Sequence, residues 1–78
     1  MIFYSMEQCA QCLQTEILLE EAGVLFTKTI VHDPAARAQL RLQYDADTFP
    51  ILVQPDGTVY VGYQGAIDLV DLAFNVSF

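Results

Sequence analysis

The order of hydrophobic periodicities along this chain predicts an α/β fold, and three observations carry the expectation. A short apolar run, Ile2-Phe3-Tyr4, precedes a helical repeat and then a second β-rich run, the pattern of a βαβ unit with parallel strands. Two later apolar runs flank Gln54-Pro55-Asp56-Gly57, whose turn chemistry predicts an antiparallel hairpin. A last stretch with helical spacing closes the string as βαβαββα.

Taken in order, Ile2-Phe3-Tyr4 suits a short buried strand. From Ala10 to Ala22 the residues Leu13, Ile17, Leu18 and Ala22 recur at helical spacing and are expected to face the core, with Gly23 as the stop. Glu20 and Glu21 stand near the C-terminal end of that helix, where negative charge is mildly unfavourable and solvation is expected to compensate. Val24 to Val31 is rich in β-branched and aromatic residues, with Lys28 as its only charge, and reads as the second strand. His32-Asp33-Pro34 closes it and opens a helix, because Asp33 can cap and Pro34 fits the first helical position. That helix is expected to run to about Tyr44 with a thin stripe of Ala35, Ala38 and Leu42, making it the weaker one. After the polar link Asp45 to Thr48, Phe49-Pro50 interrupts the pattern before Ile51-Leu52-Val53, and Thr58 to Val61 forms the other arm of the hairpin. Gly62-Tyr63-Gln64-Gly65 reads as a break. Ala66, Ile67, Val70, Ala73 and Phe74 then give the apolar face of a third helix.

Composition bounds what this string can be. At 78 residues the chain is expected to be a single domain over 1–78, and 54% hydrophobic residues supply its core. No apolar run approaches the ~18 residues of a membrane span, and the N-terminus lacks the basic and apolar segments of a signal peptide. A cytoplasmic protein without a membrane role is expected. In a reducing compartment two cysteines are poor structural staples, since thiols there stay reduced unless they turn over. Three basic residues against ten acidic ones give a net charge of -7, which argues against nucleic acid and anionic membranes. It favours a partner with a basic or neutral docking face.

The chemistry concentrates in Cys9-Ala10-Gln11-Cys12 at the mouth of the first helix. Residues i and i+3 lie on one helix face, so the two thiols can close a small disulfide with little backbone movement. The first sits where free N–H groups and the helix dipole stabilise a thiolate, while Glu7 and the net charge oppose it; the second, one turn on, can resolve a mixed disulfide. Two blander readings stand beside this one. The pair could be half of a zinc site, with His32 the only other soft-to-borderline ligand candidate, or two inert core thiols. His32 otherwise reads as a loop histidine at a strand end. Tyr4, Tyr60 and Tyr63 read as rim or core aromatics, and Asp68 and Asp71 as the solvated face of the last helix.

The dithiol after the first strand, the Thr48-Phe49-Pro50 step before the third and a glycine-bearing turn before the last helix together resemble the glutaredoxin branch of the thioredoxin-like family. The similarity spans essentially the whole chain. It implies a four-stranded mixed sheet in the order 2-1-3-4, with the first and third helices on one face and the second on the other. It also implies Cys9 as the exposed nucleophile, Cys12 as the resolving thiol and Pro50 as a cis-proline, with Phe49 offering its backbone to an extended substrate. Gln11, Thr48, Gly62 and Tyr63 would complete the substrate-binding surface. Many glutaredoxins carry a lysine where this chain has Met6, Pro-Tyr in place of Ala10-Gln11, and a Gly-Gly pair followed by acidic residues where it has Gly62-Tyr63-Gln64-Gly65. The Ala-Gln insert is closer to the NrdH redoxins, small donors to ribonucleotide reductase recharged by thioredoxin reductase, and Gly62-Tyr63 is similar to the Gly-Phe of their loop. The tryptophan and arginine of that loop are absent, with Val61 and Gln64 standing nearby.

These resemblances imply a monomeric dithiol oxidoreductase that reduces protein disulfides, ribonucleotide reductase being one candidate, with no cofactor and with thioredoxin reductase or glutathione as reductant. Glutathione is expected to bind poorly beside Met6 and Glu7. The other readings on the same fold are a glutathione-dependent glutaredoxin, an iron–sulfur or metal carrier using Cys9 across a dimer, and a binding module without redox activity.

Overall fold

The computed structural model describes residues 1–75, apart from the side chains of 74 and 75. Its elements follow the expected order: β1 (Ile2–Ser5), α1 (Ala10–Glu21), β2 (Thr27–Ile30), α2 (Pro34–Gln43), β3 (Ile51–Val53), β4 (Val59–Val61) and α3 (Gly62–Asn75). The four strands form one mixed sheet in the order β2-β1-β3-β4. β1 runs parallel to β2, with Phe3 opposite Lys28, and antiparallel to β3, with Phe3 opposite Leu52. β3 and β4 pair antiparallel as a hairpin, with Leu52 opposite Tyr60.

The hairpin turn is built as its residues dictate. Gly57 takes φ +91 and donates to the Gln54 carbonyl at 2.9 Å, while Gln54 donates to Thr58 at 2.8 Å. Asp56 accepts the Thr58 N–H at 2.9 Å, a bond that favours its carboxylate and holds the group below its ordinary value.

Alternation along β1 sends Phe3 and Ser5 to one face of the sheet and Tyr4 to the other. Phe3, Cys12, Leu19, Leu52, Ala66 and Leu69 belong to the buried apolar cluster, into which α1 and α3 pack together. On the opposite face Tyr4 meets Tyr44 just beyond α2, ring centroids 6.1 Å apart. Burial, with Tyr44 alongside, pushes the Tyr4 phenol above its ordinary value, so it stays neutral.

Both of the first two helices are rotated from the faces expected of them. In α1 the buried residues are Cys12, Thr15 and Leu19, whereas Leu13 and Ile17 are 59% and 48% exposed and Leu18 and Ala22 only half-buried. The shift from 13 to 12 is one residue, roughly 100° of helix. Its cause lies at the N-terminus: Cys9 caps the helix with its sulfur, and Cys12, bonded to it, points inward. The rotation buries Thr15, whose hydroxyl has no hydrogen-bond partner. In α2 the expected stripe of Ala35, Ala38 and Leu42 is exposed, and Ala36, Leu40 and Tyr44 turn to the sheet instead. Arg37 sets that rotation by donating through Nε to the Val31 carbonyl at 2.8 Å, together with the Tyr4–Tyr44 contact. Asp33 and Pro34 open α2 as expected, the Asp33 carboxylate accepting the Ala35 N–H at 3.2 Å. No residue of this helix is buried, in keeping with the weaker helix expected.

Two elements also differ in extent. β2 is shorter than Val24 to Val31 because Val24 and Phe26 turn in to the core before pairing begins, Phe26 packing on Phe3 at 5.5 Å between ring centroids. Gly62 to Gly65 is no loop: α3 starts at Gly62 directly after β4, because φ +74 at Gly62 turns the chain in a single residue. Gly65 is needed inside that first turn, since a Cβ there would stand 3.1 Å from the Tyr60 carbonyl carbon. Along α3 the buried positions are Ala66 and Leu69, with Ile67 and Val70 half-buried and Ala73 exposed, while the side chain of Phe74 falls outside the described residues.

The rotation of α1 has direct consequences for stability. Leu19→Ala is expected to cost about 2–5 kcal/mol, as for a fully buried leucine, whereas Leu13→Ala should stay within about 0.5 kcal/mol. Thr15→Val, which keeps the shape and removes the orphaned hydroxyl, is expected to stabilise by roughly 1 kcal/mol. Urea unfolding of the three variants checks this, and a larger loss at Leu13 than at Leu19 would contradict the orientation.

Candidate active site

The site begins with the way the chain leaves β1. Gln8 takes φ +54, a conformation that costs a non-glycine residue about 1 kcal/mol or more, and delivers Cys9 in extended geometry at φ -114 and ψ 105. Cys9 is thereby the N-cap of α1. Its sulfur accepts the N–H of Cys12 at 3.1 Å, and its carbonyl accepts that of Leu13 at 3.1 Å. A sulfur in the place usually held by a serine or aspartate oxygen is aimed at free helix donors, which favour negative charge on it.

Cys9 and Cys12 are disulfide-bonded, with Cα atoms 5.2 Å apart. The two sulfurs are not equivalent. Cys9 is half-buried at the surface, whereas Cys12 is 3% exposed and faces the core.

The second wall comes from the turn before β3. The Phe49–Pro50 bond is cis, and the Phe49 carbonyl oxygen lies 4.0 Å from the Cys9 sulfur, so the Phe49 backbone does face the thiol pair. Thr48 donates its hydroxyl to the same carbonyl at 3.2 Å, and Phe49 and Pro50 are themselves buried.

The third wall is the head of α3. Gly62 donates to the Pro50 carbonyl at 2.8 Å, and Tyr63 donates its backbone N–H to the Gln11 side-chain oxygen at 3.3 Å. A Cβ on Gly62 would stand 3.4 Å from that oxygen and 3.6 Å from the Thr48 methyl. The residues singled out in the sequence, Cys9, Cys12, Gln11, Thr48, Phe49, Pro50, Gly62 and Tyr63, are therefore joined by a chain of short contacts. Gln11 ties the dithiol turn to α3 across a separation of 52 residues, a link no local pattern announces.

On its other side Cys9 borders a cleft of about 490 Å³ between α1 and the edge strand β2. Leu13, Ile30 and the ion pair of Lys28 with Glu16 at 2.8 Å line it, and none of these is among the site residues expected from the sequence. The one available signal was the surplus of large apolar residues on α1. His32, just beyond β2, bonds through Nδ1 to the Glu7 carboxylate, so the acid two residues before Cys9 is turned toward an imidazole. Among the described residues no group of three or more His, Cys, Asp or Glu is placed to hold a metal ion. No helix of the described residues is long and apolar enough to cross a membrane.

Gly62 and Gly57 separate backbone cost from site geometry. Alanine at either is expected to cost about 1–2 kcal/mol, since both take positive φ, but only at Gly62 does the new methyl come into contact with Gln11 and Thr48. The rate at which the reduced Cys9 thiol is alkylated is expected to change in Gly62→Ala and to stay the same in Gly57→Ala, measured beside unfolding curves for both. Equal rates in the two variants would remove Gly62 from the site.

Comparison with known proteins bears on the fold first. No family model and no curated protein matches the chain. A crystal structure of a mutant of the thioredoxin-like protein BC3987 superposes with a TM-score of 0.73 and 29% identity, over 95% of this chain and 92% of that one. With the sheet order, the helices and the superposition in agreement, the chain has a thioredoxin-like fold and carries a C-x-x-C pair at the head of its first helix.

Proposed function

We propose that the protein is a thiol–disulfide oxidoreductase that reduces protein disulfides through Cys9 and Cys12. The observation that carries this reading is the asymmetry of the pair: Cys9 at the surface as helix cap, Cys12 buried one turn on, and the Phe49 carbonyl beside the outer sulfur. In the reduced protein the Cys9 thiolate attacks one sulfur of the substrate disulfide, forming a mixed disulfide and expelling the other substrate sulfur as thiolate. Cys12 loses its proton and attacks the Cys9 sulfur, which re-forms the Cys9–Cys12 bond and releases the second substrate thiol. Two electrons have moved from the pair to the substrate, and an external dithiol reductant returns them. The chain's own groups position these steps: helix donors hold charge on Cys9, and the buried site of Cys12 keeps it for the internal attack.

Within that class, we read the protein as a small donor of the NrdH type, with ribonucleotide reductase as a candidate substrate and a thioredoxin reductase as the reductant. Support comes from the placement of its cations. Lys28 is taken by Glu16 and Arg37 by the Val31 carbonyl, so neither is offered to the carboxylates of glutathione, and Glu7 stands close before Cys9. A glutathione-dependent cycle is the alternative within the same chemistry.

Two measurements test the proposal. Alkylation of the reduced protein is expected to label Cys9 before Cys12; Cys9→Ser abolishes turnover and Cys12→Ser accumulates the mixed disulfide, whereas preferential labelling of Cys12 reverses the roles. Reduction of the Cys9–Cys12 bond by thioredoxin reductase with NADPH is expected to exceed reduction by glutathione. Efficient recycling by glutathione alone would move the protein to the glutaredoxin branch.

A further inference from the structure

We propose that the cleft between α1 and the edge strand β2 is the docking groove for the substrate protein, and that it takes an extended, apolar segment flanked by basic residues and bearing the disulfide to be reduced. The inference rests on the oxidoreductase reading and adds to it a binding surface on the side of Cys9 away from Phe49 and Gly62. Its floor and walls are apolar where they approach the thiols: Met6, Ala10, Leu13 and Ile30 surround Cys9 and Cys12. The far end is closed by the Lys28–Glu16 ion pair. From Cys9 to Glu16 the helix rises about 10 Å, the length of about three residues of extended chain.

Two independent features single out this groove. The rotation of α1 leaves Leu13 59% exposed in the groove on a helix that had more suitable residues to bury than the Thr15 it does bury. Beside it, β2 is an edge strand with every residue exposed. Thr27 donates to the carbonyl of Met1, just before β1, and Val31 to that of Ser5, so by alternation the N–H and C=O groups of Lys28 and Ile30 point out of the sheet, where an extended segment can bond to them.

The occupant follows from position and charge. The groove opens onto Cys9, so a segment seated in it delivers its own disulfide to the nucleophile. Lys28, the cation among its lining residues, is neutralised by Glu16, and the chain carries -7, which favours basic flanks and disfavours a second copy of this chain.

The test uses the full chain and defined peptides. An acetylated, amidated Lys-Leu-Val-Ser-Lys peptide, with serine in place of the reactive cysteine, is titrated into the isotope-labelled oxidised protein; backbone amide shifts are expected at Met6, Leu13 and Ile30. In steady-state assays the disulfide dimer of the matching cysteine peptide is compared with hydroxyethyl disulfide, which is too small to fill the groove. Leu13→Asn and Ile30→Asn, which remove apolar contact without adding charge, are each expected to raise KM for the peptide about tenfold, with a far smaller change for hydroxyethyl disulfide. Leu25→Asn, at a site 90% exposed in the loop linking α1 to β2, should change neither. Shifts confined to Phe49, Gly62 and Tyr63, an unchanged KM in both groove variants, or groove amides that move with protein concentration alone would each overturn the proposal. Failure of the unmodified protein to reduce either disulfide would retire the oxidoreductase reading, and the shift map would still decide whether the groove binds the peptide.

Discussion

The bond from the Cys12 N–H to the Cys9 sulfur fixes where α1 begins and which way it faces. A helix of 12 residues has little freedom once its first turn is pinned, because each later side chain follows at about 100° per residue. With Cys9 as cap and Cys12 turned inward, Leu19 must enter the core two turns later and Leu13 must stay out. The buried Thr15 hydroxyl without a partner shows how firmly that first turn rules the helix, since leaving such a group unmade costs about 1–3 kcal/mol.

The remainder of the site is built against this fixed end. The Thr48-Phe49-Pro50 turn and the head of α3 come from distant parts of the chain, and each is held by backbone groups: the Phe49 carbonyl near the Cys9 sulfur, the Pro50 carbonyl on Gly62, and the Tyr63 N–H on the Gln11 side chain. Backbone contacts of this kind tolerate side-chain variation but demand an exact path, which explains the positive φ at Gly62. α2, by contrast, touches none of these groups and buries no residue, so the fold concentrates its order at the thiol end and leaves the other face of the sheet thinly covered.

Asymmetry between the thiols and asymmetry between the two sides of Cys9 have the same origin. The walls formed by Phe49 and Gly62 are closed by hydrogen bonds, while the wall formed by α1 and β2 is apolar and open. Under the proposed function, few basic residues and exposed Leu13 and Ile30 beside Cys9 would let the protein meet its substrate through shape and apolar contact.

The element order, the hairpin, the capping of α2 by Asp33 and Pro34 and the position of the dithiol were legible from the chain alone, because local signals encode them: turn residues, caps and runs of β-branched side chains. The sequence by itself determined that two cysteines one turn apart would stand at a helix mouth after a strand. Which residues of α1 and α2 face inward was decided only in the folded molecule, because the apolar stripe is a statistical guide and the rotation is set by single contacts at Cys9 and Arg37. The start of α3 at Gly62 was likewise hidden, since one residue in a left-handed conformation makes a turn that a glycine-rich loop would also make. The meeting of Gln11 with Tyr63 and of Cys9 with Phe49 belongs wholly to the tertiary structure, because sheet order, not sequence separation, brings the ends of β1, β3 and β4 to one edge.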